Sequence, residues 1–300
     1  MALCIAWVIF AFCVIDLTLF PIPLIHDPTS YATFSGARLH VRHVSNMCWM
    51  LPVIGLLCAR SLKVRILLIG MGLVFPVLVL DRNRLFAVAF ACIVLMLLRR
   101  RRAIPWKTVG TLAVAAVIAF GVLGTYRSGN LAWVPLPFSP VFEGSPTVLK
   151  WLLLYASAGI YNFGAIMTKG YHNPEFLINQ LVPGAGSVAT LGTDIPLDAP
   201  TINIGTEFFP FLMALGPAGA FVAAMLLYLM VVGAFLLLRA RLSVFTLLIF
   251  LRITYVSVMS SFAPQAYTWT NFGLIALCLL AMVLASLLPH AGRHASTASE

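Results

Sequence analysis

Arg252 stands inside the apolar run SVFTLLIFLRITYVSVMSSF, about ten residues from either end. An Arg at mid-bilayer costs at least ~2.5–3.5 kcal/mol on insertion scales, so it ordinarily faces a cavity or a partner and carries function. The chemistry it suggests is anion capture, because a guanidinium offers a planar fork of donors to phosphate or carboxylate oxygens. The structural alternative is an ion pair inside the protein, with Asp16 as a partner. Tyr255 and Ser261 continue the polar path beyond Arg252. A second constellation is Asp81-Arg82-Asn83-Arg84, which joins two apolar runs with no spare residues. It holds two guanidiniums at rigid helix ends, or else forms a plain turn with Asp81 as counter-ion.

Further cations belong to the same set: Arg38, Arg42, Arg127, Lys150 and Lys169, with His40, His43 and His172. Arg38, Arg82, Arg84 and Arg127 are the candidates for binding pyrophosphate oxygens. Each alone has a plainer use, reaching to lipid phosphates or pairing with Asp27 or Asp81. A proton acceptor would come from the segment 169–207, which holds His172, Glu175, Asp194, Asp198 and Glu207. Glu207 is distinguished by abutting the next apolar run, and His172 and Asp194 are the other candidates for a base. Asp194 and Asp198 could alternatively ligate a divalent ion, although two acids in a Pro/Gly-rich loop are more simply solvated charges.

These residues need elements to hold them, and the composition restricts which. Of the 300 residues 61% are hydrophobic and 9% charged, against about 45–50% and about 25% in soluble domains. That excludes an ordinary cytosolic enzyme, a disordered chain and a disulfide scaffold. The fold class expected is an all-α polytopic membrane protein. Apolar runs long enough to cross ~30 Å of hydrocarbon fall at roughly 2–20, 44–59, 64–80, 85–98, 108–125, 208–238, 243–262 and 270–288, giving about eight spans. The first carries Asp16 and lacks a basic leader and a small-residue cleavage site, so it is not read as a signal peptide.

The formal net charge is +10, and its distribution argues for membrane topology rather than nucleic acid. Arg60, Lys63 and Arg65 share one short loop, Arg99 to Arg102 and Lys107 a second, and Arg239 and Arg241 a third. Placing these inside orients both termini to the cytoplasm. The chain is then one integral membrane domain, 1–300, with a large outer loop at 126–207 and a flexible cytoplasmic tail at 290–300. Within that loop 147–165 is apolar, but a crossing there would place Arg239 and Arg241 outside. It is expected to lie in the outer interface, with Trp151, Tyr155 and Tyr161 at headgroup level, or else to re-enter the membrane.

Walker A, GxSxG, HExxH and GxGxxG sequences are absent, so neither ATP-driven work nor soluble-type hydrolysis is supported. The six Cys lie in or at the ends of apolar runs without a CxxC pair, which supports no zinc site. No metal or other cofactor is expected.

Three stretches carry a family resemblance: Phe34-Ser35-Gly36-Ala37-Arg38, then Asp81-Arg82-Asn83-Arg84-Leu85-Phe86, then Tyr155 to Phe163 followed by Thr201 to Gly219 (TINIGTEFFPFLMALGPAG). Together the chain resembles the Wzy-type O-antigen polymerases, or oligosaccharide repeat unit polymerases, of bacterial inner membranes. The resemblance covers about residues 30–290. It implies a GT-C-like fold and a membrane glycosyltransferase whose substrate is an undecaprenyl-pyrophosphate-linked oligosaccharide. The growing chain would leave its lipid pyrophosphate for a hydroxyl of the next unit at the periplasmic face. A chain-length regulator and a flippase are the implied protein partners, beside membrane lipids. Arg252, Glu207 and His172 are then the catalytic candidates. Two other functions fit the sequence: a flippase or anion transporter, for which discontinuous helices or internal repeats are expected and no repeat is found, and the related O-antigen ligase.

Overall fold

The computed structural model describes residues 1–26, 36–99, 105–128, 144–183, 195, 197 and 204–287, with 36, 37, 39, 99, 127 and 128 described by backbone alone. Among these residues the chain is helical throughout, without a strand. The helices are α1 (Ala2–Leu19), α2 (Gly36–Ser45), α3 (Met50–Cys58), α4 (Leu62–Leu78), α5 (Arg82–Arg99), α6 (Trp106–Ser128), α7 (Thr147–Lys169), α8 (Pro174–Leu181), α9 (Phe209–Ala240), α10 (Val244–Val258) and α11 (Trp269–Leu287). Short 3-10 turns precede α3 (Asn46–Trp49) and follow α10 (Met259–Ser261).

Six segments are long and apolar enough to cross a membrane: Ala2–Leu19, His40–Cys58, Trp106–Tyr126, Phe209–Ala240, Val244–Ser261 and Trp269–Leu287. Two of them, His40–Cys58 and Val244–Ser261, are 56% buried, whereas the other four are 22% buried. The chain therefore builds around α10 and the α2–α3 segment. The outer ring shows apolar side chains to its surroundings, among them Ile66, Val114, Phe221, Leu229 and Leu280. That inversion of the soluble pattern belongs to a multi-pass membrane protein whose solvent is lipid.

Small residues set the close approaches, as packing between helices in lipid requires. At Gly72 of α4 a Cβ would come within 2.5 Å of Pro52 of α3. At Gly121 of α6 it would come within 2.6 Å of the Val148 Cα of α7, and at Gly124 within 3.0 Å of the Trp151 ring. The result is that α7 lies directly on α6. Its inward face carries Trp151, Leu154, Ala158, Asn162 and Ala165, while Leu149, Leu153, Ile160 and Met167 are exposed. Trp151 is buried against α6, where Gly124 leaves room for its ring.

The longest helix, α9, is broken. Gly216 has φ 71°, ψ −169°, which only glycine adopts readily, and Pro217 follows without an N–H to donate. A short piece, 209–215, is thereby set off from the long run that ends at Ala240.

Candidate functional site

The α4–α5 link is as tight as its sequence suggests. Leu80 takes a left-handed φ of 54° with its side chain fully buried, a conformation that costs a non-glycine residue ~1–2 kcal/mol. The Asp81 N–H donates to the Pro76 carbonyl at 2.8 Å, and the Asp81 carboxylate accepts the Arg84 N–H at 3.1 Å. Asp81 thus caps α5 and puts Arg82 and Arg84 in its first turn. Cations there oppose the partial positive charge of a helix N-terminus, so their placement is not explained by helix stability.

Arg82 is held from two neighbouring helices, α6 and α7. Its guanidinium carbon lies 4.8 Å from the Phe120 ring centre, 5.0 Å from Tyr155 and 5.3 Å from Trp151. Its Nη2 donates to the Tyr155 hydroxyl at 2.7 Å. Stacking on aromatic faces orients a guanidinium without neutralising it. Asn83 is fixed from the opposite side. Its side-chain amide pairs with that of Gln265 through two bonds of 3.2 Å, and Tyr255 Oη donates to Asn83 Oδ1 at 2.5 Å. Arg84 Nε stands 3.6 Å from Asp81 Oδ2 and makes no hydrogen bond among the described residues.

Arg252 sits on α10, and its Nε donates to Asn271 Oδ1 of α11 at 2.9 Å. Asn271 in turn donates to the Ala266 carbonyl at 2.8 Å. The side chain is buried, has no ion-pair partner among the described residues, and leaves Nη1 without a hydrogen bond. Arg252 lies near the middle of the Val244–Ser261 span, as its sequence suggests. It does not pair with Asp16. That carboxylate is fully buried and accepts Arg38 Nε at 3.2 Å and Ser45 Oγ at 3.1 Å, with Arg42 Nε at 3.4 Å.

Arg82, Arg84 and Arg252 converge on one cavity of about 550 Å³, within the range usual for ligand sites. Asp81, Asn83, Gln265, Thr268 and Thr270 supply the rest of its polar wall. Phe86, Phe120, Val258 and Phe262 line the apolar side. Three guanidiniums against one carboxylate give its wall an excess of positive charge. It opens among the end of α10 and the starts of α5 and α11, at helix ends opposite the loops of Arg60 and Arg239.

Glu207 stands behind this wall and does not line the cavity. It is fully buried at the start of α9. One carboxylate oxygen accepts the N–H groups of Gln265 and Ala266 at 2.5 and 2.8 Å, and the other accepts that of Tyr267 at 3.1 Å. Its own N–H donates to the Ser260 carbonyl at 2.6 Å. Burial pushes its pKa above the usual carboxylate range, against the lowering effect of the three N–H donors. The residue thus fastens both sides of the 260–267 loop that forms the cavity wall.

The remaining candidates lie apart. Arg38 belongs to the Asp16 network. His172 is exposed ahead of α8 and is not among the cavity residues. Arg127 falls in the last turn of α6 with its side chain outside the described residues, as do Asp27, Asp194 and Asp198 entirely. No group of three or more His, Cys, Asp or Glu among the described residues is arranged to hold a metal. Asn83, Tyr155, Gln265 and Asn271 are site residues that charge-based selection passes over. For Asn83, Gln265 and Asn271 the signal was a neutral polar residue at the edge of an apolar run; Tyr155 stands inside one. Compared with known proteins, the chain matches no family model, no curated protein and no solved structure.

Proposed function

We propose that the protein is a polymerase of the bacterial inner membrane that joins polyprenyl-pyrophosphate-linked oligosaccharide units at the periplasmic face. In this proposal α4 and α5 also cross, giving eight spans in a GT-C-like arrangement with the cavity at the outer leaflet. Helix α4 has 17 residues, one fewer than the shortest of the six spans, and α5 carries Arg82, Arg84 and Arg99, which sets each apart from them. The observation that carries the proposal is the convergence of Arg82, Arg84 and Arg252 on one cavity with an apolar flank. A lipid pyrophosphate has this double character.

The chemistry follows from charge. A hydroxyl of one unit attacks the anomeric carbon of another, and the lipid pyrophosphate departs with the bonding electrons. The demand on the protein is to stabilise negative charge developing on phosphate oxygens. Preorganised guanidiniums in a dry site do this well. Arg84 is partly offset by Asp81, and Arg252 has no ion-pair partner among the described residues. Deleting the gene should leave lipid-linked single units and remove long chains.

The break at Gly216 favours a second function, since discontinuous helices are common in transporters. Against it, Gly216 is not among the cavity residues. A knockout with normal chain length and blocked export of lipid-linked units would select the transporter.

A further inference from the structure

We propose that Asp81 is the proton acceptor of the transfer reaction, and that the pyrophosphate of the donor switches it on by drawing Arg84 away. The inference rests on the polymerase function above. Among the described residues lining the cavity, Asp81 is the only carboxylate, and no histidine lines it, so it is the one side chain there suited to accept a proton from a hydroxyl. The others are guanidiniums, amides, hydroxyls and hydrocarbon. Glu207 has both oxygens committed to backbone N–H groups, and His172 lies elsewhere.

The two oxygens of Asp81 have different duties. Oδ1 accepts the Arg84 N–H and holds the start of α5. Oδ2 receives no hydrogen bond among the described residues, and its nearest cation is Arg84 Nε at 3.6 Å. That is an ion pair without hydrogen-bond contact, in which Arg84 Nε is otherwise unengaged. An arriving pyrophosphate competes for the Arg84 fork with more charge and better geometry than one carboxylate oxygen. When Arg84 turns to the phosphate, Oδ2 loses its counter-ion and becomes a stronger base. The acceptor hydroxyl oxygen then bonds to the anomeric carbon as its proton passes to Oδ2. The bond from that carbon to the pyrophosphate oxygen breaks, leaving its electron pair on the lipid pyrophosphate. Asp81 afterwards releases the proton to water.

The test uses the full-length protein in lipid nanodiscs with a synthetic polyprenyl-pyrophosphate disaccharide. Asp81→Asn keeps an oxygen for the helix cap and removes the base. We expect kcat to fall roughly 10²–10⁴-fold, binding of the lipid pyrophosphate to stay within about threefold, and the acid limb of the wild-type pH profile to vanish. Asp81→Ala should regain part of its rate with added formate. Retained kcat in Asp81→Asn overturns the inference and leaves the polymerase function standing, as does a change confined to KM. Loss of turnover in Asp194→Asn or Asp198→Asn with Asp81→Asn unaffected moves the base to those residues. Wild-type protein that neither binds the lipid pyrophosphate nor elongates it removes both proposals.

Discussion

Replacing Glu207 should loosen the cavity wall without touching the cavity. Its carboxylate accepts three backbone N–H groups, from Gln265, Ala266 and Tyr267. In Glu207→Gln the amide oxygen can keep the pair at 265 and 266, while the amide nitrogen faces the Tyr267 N–H donor to donor. One buried donor is then orphaned, at about 1–3 kcal/mol. Glu207→Ala orphans all three. Their sum would reach about 3–9 kcal/mol, but relaxation and water entry keep most single substitutions below ~4–5 kcal/mol. We therefore expect ~4 kcal/mol for Ala and ~2 kcal/mol for Gln. Thermal unfolding in detergent, followed by tryptophan fluorescence, should order the midpoints wild type, Gln, Ala. The pH dependence gives a second check. Burial raises the pKa of Glu207, so between the ordinary carboxylate range and the raised value the native state holds the proton more tightly. Stability falls as pH rises through that window, and Glu207→Gln should lack this slope. An Ala variant as stable as wild type would refute the loop-fastening role.

Other consequences are equally direct. Arg252→Ala should abolish polymer formation at normal membrane abundance, and Arg252→Lys should recover little, since an ammonium cannot both bond Asn271 and present a planar fork; chain-length analysis beside immunoblotting checks both. Arg82→Lys should lower activity roughly 10²-fold by removing one stacked donor from the anion, whereas Tyr155→Phe, which removes the 2.7 Å contact and keeps the ring, should lower it less. Gly121→Leu should displace α7 from α6, because even its Cβ would meet the Val148 backbone; a crosslink between cysteines placed at 120 and 155, whose native rings lie 5.2 Å apart, should form in the parent and fail in the variant. Asp16→Asn should lower the amount of folded protein, since it leaves Arg38 and Arg42 buried beside a neutral amide.

The apolar runs marked the helices well because length and hydrophobicity are properties of single segments. Each of the eight runs overlaps one described helix or helix pair. Helix α8 was also within reach, since Asn173-Pro174-Glu175 is a helix start, but a polar loop was expected there. The site was half legible. A cation in an apolar setting is visible in one dimension, which singled out Arg82, Arg84 and Arg252. Which cations share a cavity depends on helix pairing, and that diverted Arg38 to Asp16. The same limit hid Glu207's commitment to a loop some 58 to 60 residues downstream. Gln265 and Asn271 carry no charge and sit beside aromatic residues, so nothing in composition separates them from helix-end polar residues elsewhere.

The long spacing of these contacts has a bearing on how the protein is made. Arg82 finds Tyr155 73 residues later, and Asn83 finds Tyr255 and Gln265 after 172 and 182 residues. During synthesis the α4–α5 hairpin with its arginines leaves the ribosome long before α7, α10 and α11 exist. Nascent chains stopped before residue 255 would carry Arg82 with the rings that hold it, but not Tyr255 and Gln265, which hold Asn83, nor Asn271, which holds Arg252. The hairpin must wait, only partly braced, for the last third of the chain. Slow elongation or a late truncation would prolong that wait, which makes the C-terminal helices, remote in sequence from Asp81, the step on which maturation of the site depends.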